Sequence, residues 1–247
     1  MNQKIAGVEV GPDQPCRVVA EISNNHNGDF GLALKLVSQV HEAGADFVKF
    51  QAYTPRELVA LRGAGPAPDL WGEQGMTMEE LYEQAQTPMS WMPRLTDHCE
   101  AVGIPWFSSV FGLGSLSVMD ALGCPVFKLA ALDHGKAWLY KMVESVGKPI
   151  IRSCANPHPP RKDFNLYCPA GYPQAPTSLE PLKRYDGFSY HGTDPAVPLR
   201  AAALGAQMLE VHVQLDDEQS NLESNISLTV KQLADMVRDL RAQEEWR

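Results

Sequence analysis

No stretch of the 247 residues is apolar for 18 or more positions, and the N-terminal residues read without the apolar core of a leader. Lys/Arg-rich runs are missing as well. With 21 basic against 30 acidic residues the formal net charge is -9, which excludes a polyanion-binding stripe and makes nucleic acid an unsuitable partner. Cysteine is sparse: Cys16, Cys99, Cys124, Cys154 and Cys168 are odd in number and never spaced as CxxC. That pattern argues against a disulfide framework or a structural zinc site and for reduced thiols. These absences describe a cytoplasmic protein with small-molecule partners and no membrane or nucleic-acid partner; a homo-oligomer is left open.

What is present is a regular alternation of short apolar runs and helical segments, the pattern of parallel βα units. After an N-terminal strand near 4–10, "CRVVAEI" reads as the first barrel strand, and "FGLALKLVSQVHEAG" as an amphipathic helix closed by Gly44. "DFVKFQ", "IPWFSS", "PVFKLA", "PIIRSC", "FNLYC", "GFSYH" and "QMLEVHV" supply seven more strands, with helical patterns between most of them and "TVKQLADMVRDLRAQ" as the last helix. Eight such units in a chain of about 250 residues point to a single-domain (β/α)8 TIM barrel over 1–247; an open doubly wound sheet is the competing arrangement. Residues 53–76 read as one long Gly/Pro-rich loop, either a lid or idle surface, and "NPHPPRKD" after the fifth strand is a second candidate.

In such barrels chemistry sits where strands end. The strand ends here carry Glu21, Lys49 with Gln51, Ser108 with Ser109, Lys128, Ser153, Ser189 with His191, and Glu210 with His212. Strict alternation sets Val48 and Phe50 against Lys49 and Gln51, so the inward faces are polar. An ammonium buried without a partner is costly. Lys49 and Lys128, with hydroxyls from Ser109, Ser153 and Ser189, therefore form a cradle for a phosphate or carboxylate; the alternative is that both lysines pair with Glu21, Asp46, Asp133 or Glu210. His191 and His212 occupy corresponding places on neighbouring strands, where two imidazoles hold a divalent cation if oxygen ligands complete its shell. A lone histidine on a strand is more often a hydrogen-bonded core or rim histidine than a metal ligand, and that reading stands beside the metal pair.

The stretch "AEISNNHNGDFGLALKLVSQVHEAGADFVKFQ" resembles the opening signature of the sialic acid synthase family, the N-acetylneuraminate synthases and their relatives making legionaminic and pseudaminic acids. "WFSSVF", "VFKLAALD", "KPIIRSCA", "LYCPAGYP", "GFSYHGTD" and "ALGAQMLEVHVQLD" follow in the family's order. The resemblance implies a barrel enzyme that condenses phosphoenolpyruvate with a sugar-like aldehyde, giving a 2-keto-3-deoxy acid and phosphate with the help of Mn2+ or Mg2+. By matching position it implies that Lys49, Ser109, Lys128, Ser153 and Ser189 hold phosphoenolpyruvate, and that His191 and His212 hold the metal. It further implies that Glu21 positions or deprotonates water, and that Gln51, Asp133, Tyr172 and Glu223 face the acceptor.

Several positions depart from the family pattern. Lys-Ile-Ala-Ser becomes "KLAA", so Ala131 lacks a hydroxyl; Asn-x-Tyr-Pro becomes "AGYP", so Ala170 lacks an amide; Ser-Asp-His-Thr becomes "SYHG"; and Gly-Pro-Asp-His becomes "NLES". The resemblance covers the barrel alone, without the small antifreeze-like domain with which typical members continue. Acceptor choice is thus expected to have changed more than the chemistry. Two rival readings stand beside the synthase: another metal-dependent lyase, aldolase or isomerase on a phosphorylated or carboxylated substrate, and a degenerate barrel that only binds.

Overall fold

A computed structural model describes residues 2–68, 72–155, 162–174 and 178–244. A hairpin of β1 (Gln3–Ile5) and β2 (Val8–Val10) precedes the main sheet; the single strand expected near 4–10 is this hairpin, turned at Ala6 and Gly7, both with positive φ. Then come β3 (Arg17–Glu21), β4 (Phe47–Ala52), β5 (Trp106–Val110), β6 (Phe127–Leu129), β7 (Ile150–Cys154), β8 (Phe164–Tyr167), β9 (Gly187–Tyr190) and β10 (Met208–Gln214). Each pairs in parallel with the next, and β10 pairs with both β9 and β3, closing the barrel. A short strand, β11 (Ser227–Thr229), pairs in parallel alongside the last three residues of β10.

Helices pack outside the strands: α1 (Phe30–Glu42), α2 (Pro55–Arg62), α3 (Met78–Ala85), α4 (Met92–Val102), α5 (Leu113–Ala121), α6 (Ala137–Glu144), α7 (Ala196–Ala203) and α8 (Val230–Glu244). The long loop expected over 53–76 is corrected by α2. Thr54 and Glu57 form a reciprocal capping box, Pro55 occupies the first turn, and Gly63 ends the helix. None of the described helices is long and apolar enough to cross a membrane. Most of "NPHPPRKD" lies outside the described residues.

Register decides what the barrel mouth contains. Glu21 stands opposite Lys49, Ser109 opposite Lys128, and Glu210 opposite Ser189. Two residues earlier on the same faces come Val19, Phe47, Phe107, Ile151 and Met208, all fully or nearly fully buried. This apolar layer plugs the barrel beneath the polar one.

The "SNNHNG" segment after β3 is scaffold. Asn25 donates to the carbonyl of Val213 (2.8 Å) and to Ser227 Oγ (3.0 Å). Asn27 donates to Gln219 and accepts from the Asn221 amide, while Ser220 donates to Asn24. The loop after β10 is thereby clasped to the loop after β3. At its centre His26 is fully buried. Its Nδ1 accepts from the Gly28 amide at 3.1 Å, so the ring proton lies on Nε2 and is donated to Thr87 Oγ1 at 3.0 Å.

Burial lowers the pKa of His26 from 6.5 to about 4. The unfolded chain therefore takes up this proton first as pH falls, so the contribution of His26 is complete above pH 6.5 and is lost on going down to about 4. His26→Gln is expected to remove about 2 kcal/mol of the acid-induced loss of stability between pH 6.5 and 4.5. Urea unfolding at both pH values tests this; parallel losses in wild type and variant would refute it.

Candidate active site

The strands end in a cavity of about 570 Å³. Lys49, Gln51, Ser109, Lys128, Ser153, Ser189, His191, Glu210 and His212 line its floor, and Tyr172 and Glu223 reach in from loops. The opposite wall is apolar: Leu58 from α2, Met78, Leu81, Tyr82 and Ala85 from α3, and Phe111 beyond β5. Arg62 is the charged group on that wall.

A chain of buried ion pairs runs across the floor. Lys49 Nζ lies 2.5 Å from Glu21 and 3.2 Å from Glu210, and Lys128 Nζ lies 3.3 Å from Glu210. Ser189 donates to Glu210 at 2.9 Å, the Ser23 amide to Glu21 at 2.7 Å, and Lys49 to Ser109 at 3.4 Å. Burial works against the charged form of Glu210, yet Lys128 and Lys49 pull its carboxyl far below the usual range. Burial likewise opposes the ammonium of Lys49, but Glu21 and Glu210 hold it above the ordinary lysine value. Lys128 goes the other way: burial lowers its pKa, Glu210 opposes the shift, and the charge of Lys49 adds to it.

Of the partners considered for the lysines, Glu21 and Glu210 are the ones found. Asp46 is engaged by Arg17 and Arg241, and Asp133 by Arg62. Two ammoniums thus face two carboxylates, without excess charge. Glu21 sits behind Lys49 and does not itself line the cavity. Beside Lys128, the buried hydroxyl of Ser153 has no hydrogen-bond partner among the described residues. An unpaired buried hydroxyl is costly, and its position marks where an oxygen-rich ligand would complete the hydrogen bonding.

His191 and His212 lie side by side, ring centroids 4.9 Å apart. Burial, with His212 beside it, lowers the pKa of His191 to about 3, keeping the ring neutral. His212 Nδ1 is 3.0 Å from Glu223, whose charge raises the histidine's pKa against the effect of burial. Tyr172 also donates to Glu223, and its ring packs on both imidazoles. A neutral imidazole, and a second one backed by a carboxylate on the far nitrogen, are rings of the kind that take a divalent cation where each turns a lone pair toward it. Among the described residues no three His, Cys, Asp or Glu side chains gather as metal ligands.

Asp133 is the residue whose surroundings differ most from expectation. It does not line the cavity. Arg62 covers it with a two-pronged pair, Nε to Oδ1 at 3.1 Å and Nη2 to Oδ2 at 2.8 Å. The sequence reading missed Arg62 because it treated 53–76 as loop; the Thr54-Pro55-x-Glu57 capping pattern was the available signal. Ala131 and Ala170 both line the cavity, so their lost polar groups leave apolar surface there. Tyr190 and Gly192 form one unit: a Cβ at residue 192 would lie 2.4 Å from the Tyr190 hydroxyl and 2.6 Å from its ring. None of the five cysteines forms a disulfide, and all are buried.

This arrangement, a closed (β/α)8 barrel with a charged, hydroxyl-rich mouth under an apolar wall, defines a barrel of the enzyme type. The sequence profile of the NeuB family matches residues 36–156 and 177–247, more than half of the chain, and the chain belongs to that family. It is 29% identical over 254 residues to pseudaminic acid synthase of Helicobacter pylori, covering 92% of this chain and 74% of that protein. It is 28% identical to human N-acetylneuraminate-9-phosphate synthase, covering 95% and 72% respectively. The crystal structure of N-acetylneuraminic acid (sialic acid) synthetase from Leptospira borgpetersenii, solved with citrate, superposes with a TM-score of 0.84 at 21% identity, over 98% of this chain and 88% of that one. That match shows the shared fold.

Arg62→Met is expected to lower stability by about 3 kcal/mol, because the fully buried carboxylate of Asp133 loses its partner. Adding Asp133→Leu should restore much of the loss. Urea unfolding of both variants checks the pair; a cost below about 0.5 kcal/mol, the level of an exposed pair, would count against it.

Proposed function

We propose that the chain is a metal-dependent synthase that joins phosphoenolpyruvate to a sugar-like aldehyde, releasing phosphate and giving a 2-keto-3-deoxy acid. The observation that carries this reading is the pairing of Lys128, whose described hydrogen-bond partner is Glu210 at 3.3 Å, with the Ser153 hydroxyl, which has no hydrogen-bond partner among the described residues, on the same cavity floor. Family membership and relatives that are themselves sugar-acid synthases support it.

In this reading C3 of phosphoenolpyruvate bonds to the aldehyde carbon, water adds at C2, and phosphate departs as the C2–O bond breaks. Lys49, Lys128, Ser109, Ser153 and Ser189 bind the phosphate and carboxylate oxygens through charge-assisted hydrogen bonds. His191 and His212 would hold Mn2+ or Mg2+, which when bound would supply Lewis-acid polarisation of the acceptor carbonyl. Glu21, oriented by the Ser23 amide and set behind Lys49, acts on the water by positioning that lysine. Gln51, tied to Ser23 Oγ at 3.0 Å, faces the acceptor together with Tyr172 and Glu223. Asp133 acts on the acceptor only through Arg62. The wall of α2 and α3 keeps bulk water from the reacting carbons.

Manganese and then phosphoenolpyruvate should each raise the melting temperature, since each binds the folded state. His212→Ala is expected to abolish the manganese-induced rise. Lys128→Met should keep that rise while weakening phosphoenolpyruvate at least about tenfold, the equivalent of one hydrogen bond to a charged group. Phosphate release across an aldehyde panel reads the reaction itself. Failure of both ligands to shift the melting temperature, with no phosphate released, would overturn the synthase reading.

A further inference from the structure

Gln174 is a residue that neither the motifs nor the proposed reaction uses. It does not line the cavity, but it approaches His191 from behind, out of the loop after β8. Its backbone amide donates to the His191 carbonyl at 2.8 Å. Its side-chain Nε2 lies 3.0 Å from the Pro169 carbonyl, 3.3 Å from the Ser189 carbonyl and 3.2 Å from His191 Nδ1. Carbonyl oxygens only accept hydrogen bonds, so the atom between them must be the amide nitrogen; the opposite orientation would set three oxygens against one another. An NH2 group has no lone pair to offer. A proton on His191 Nδ1 would therefore point at another N–H, with only the Cys168 thiol, 3.8 Å from Nδ1 and 3.7 Å from the Gln174 nitrogen, as a more distant neighbour, so the geometry favours Nδ1 as the bare nitrogen.

His212 is held in the opposite sense. Glu223 stands 3.0 Å from its Nδ1, and a carboxylate there keeps the proton on Nδ1. That is the orientation in which a histidine turns the lone pair of its other nitrogen toward a metal. The two rings lie side by side, yet only one is set as a ligand.

We propose that Gln174 is a positioning residue that fixes His191 with its proton on Nε2, and that it thereby weakens the hold of the histidine pair on a divalent cation. The second half rests on the metal reading given above. For His191 to offer the Nε2 lone pair, that proton leaves to solvent and another arrives on Nδ1, leaving the ring neutral throughout. The Gln174 amide must then release Nδ1, forfeiting its hydrogen bond and turning away from two carbonyls. Until this happens His191 presents an N–H donor, suited to a carbonyl, hydroxyl or phosphate oxygen.

The test begins with wild-type protein labelled with 15N-histidine and held in chelator. Two-bond 1H–15N correlations, assigned by the signals missing from His191→Asn, should show His191 protonated on Nε2 and His212 on Nδ1. A His191 pattern with the proton on Nδ1 overturns the proposal, and a packing role for Gln174 would predict no particular tautomer. Calorimetric titration with Mn2+ then compares wild type with Gln174→Met, which removes the donor at nearly constant volume. About tenfold tighter binding by the variant is expected; equal or weaker binding overturns the cation half. If neither protein binds Mn2+, the metal reading fails along with that half, while the wild-type spectrum still decides the tautomer. The same spectrum decides it if Gln174→Met does not fold.

Discussion

A carboxylate stays ionised inside a barrel only when cations stand within reach, and Glu210 has two, Lys49 and Lys128. Most of the mouth follows from keeping those three groups together. They come from β10, β4 and β6, separated by 161 positions of sequence at the extremes, and only one register brings them inward together. A slip of one residue in any of these strands would turn a charge into the layer between strands and helices and an apolar side chain into the mouth. The apolar layer of Phe47, Phe107 and Met208 fixes the same register from below. Packing and charge pairing therefore select one alignment, which is what a uniquely folded barrel needs.

The loops around this floor divide the remaining work. The segment after β3 spends its asparagines on backbone and side-chain partners in the loop after β10, and so delivers Glu223 to His212. The helices α2 and α3 close the opposite side, with Arg62 tied down onto Asp133. One side of the cavity is thus polar and heavily cross-linked, and the other is greasy with a single anchored cation. A fully hydroxylated ligand finds partners on the first side and few on the second.

The eight barrel strands were legible because each is a short apolar run, all but β8 with polar residues at the C-terminal end, and alternation alone assigned Lys49, Gln51, Ser189 and His212 to the inside. The proximity of His191 to His212 followed from strand order. Lysine partners were legible only as a set of alternatives, since Glu21, Asp46, Asp133 and Glu210 all carry the right charge and only register chooses among them. Asp133 illustrates the limit most clearly: position matched it to an acceptor-facing carboxylate, but the residue that covers it, Arg62, lies 71 residues earlier. Gln174 was invisible for a different reason. Its effect depends on two backbone carbonyls and one ring nitrogen converging on a single atom, and no spacing rule encodes that.

The Tyr190 and Gly192 pair bears on the history of the chain as well as on its packing. A sequence with Asp and Thr at these positions could not acquire the tyrosine first in its present rotamer, because the Cβ of the threonine would lie 2.4 Å from the phenol oxygen. Glycine must come first, or both changes must arrive together. Once the tyrosine is in place, restoring a side chain at 192 alone is barred by the same clash. The route therefore has a fixed order in each direction: the glycine precedes the tyrosine on the way to this sequence, and on the way back the aspartate would have to return before the threonine.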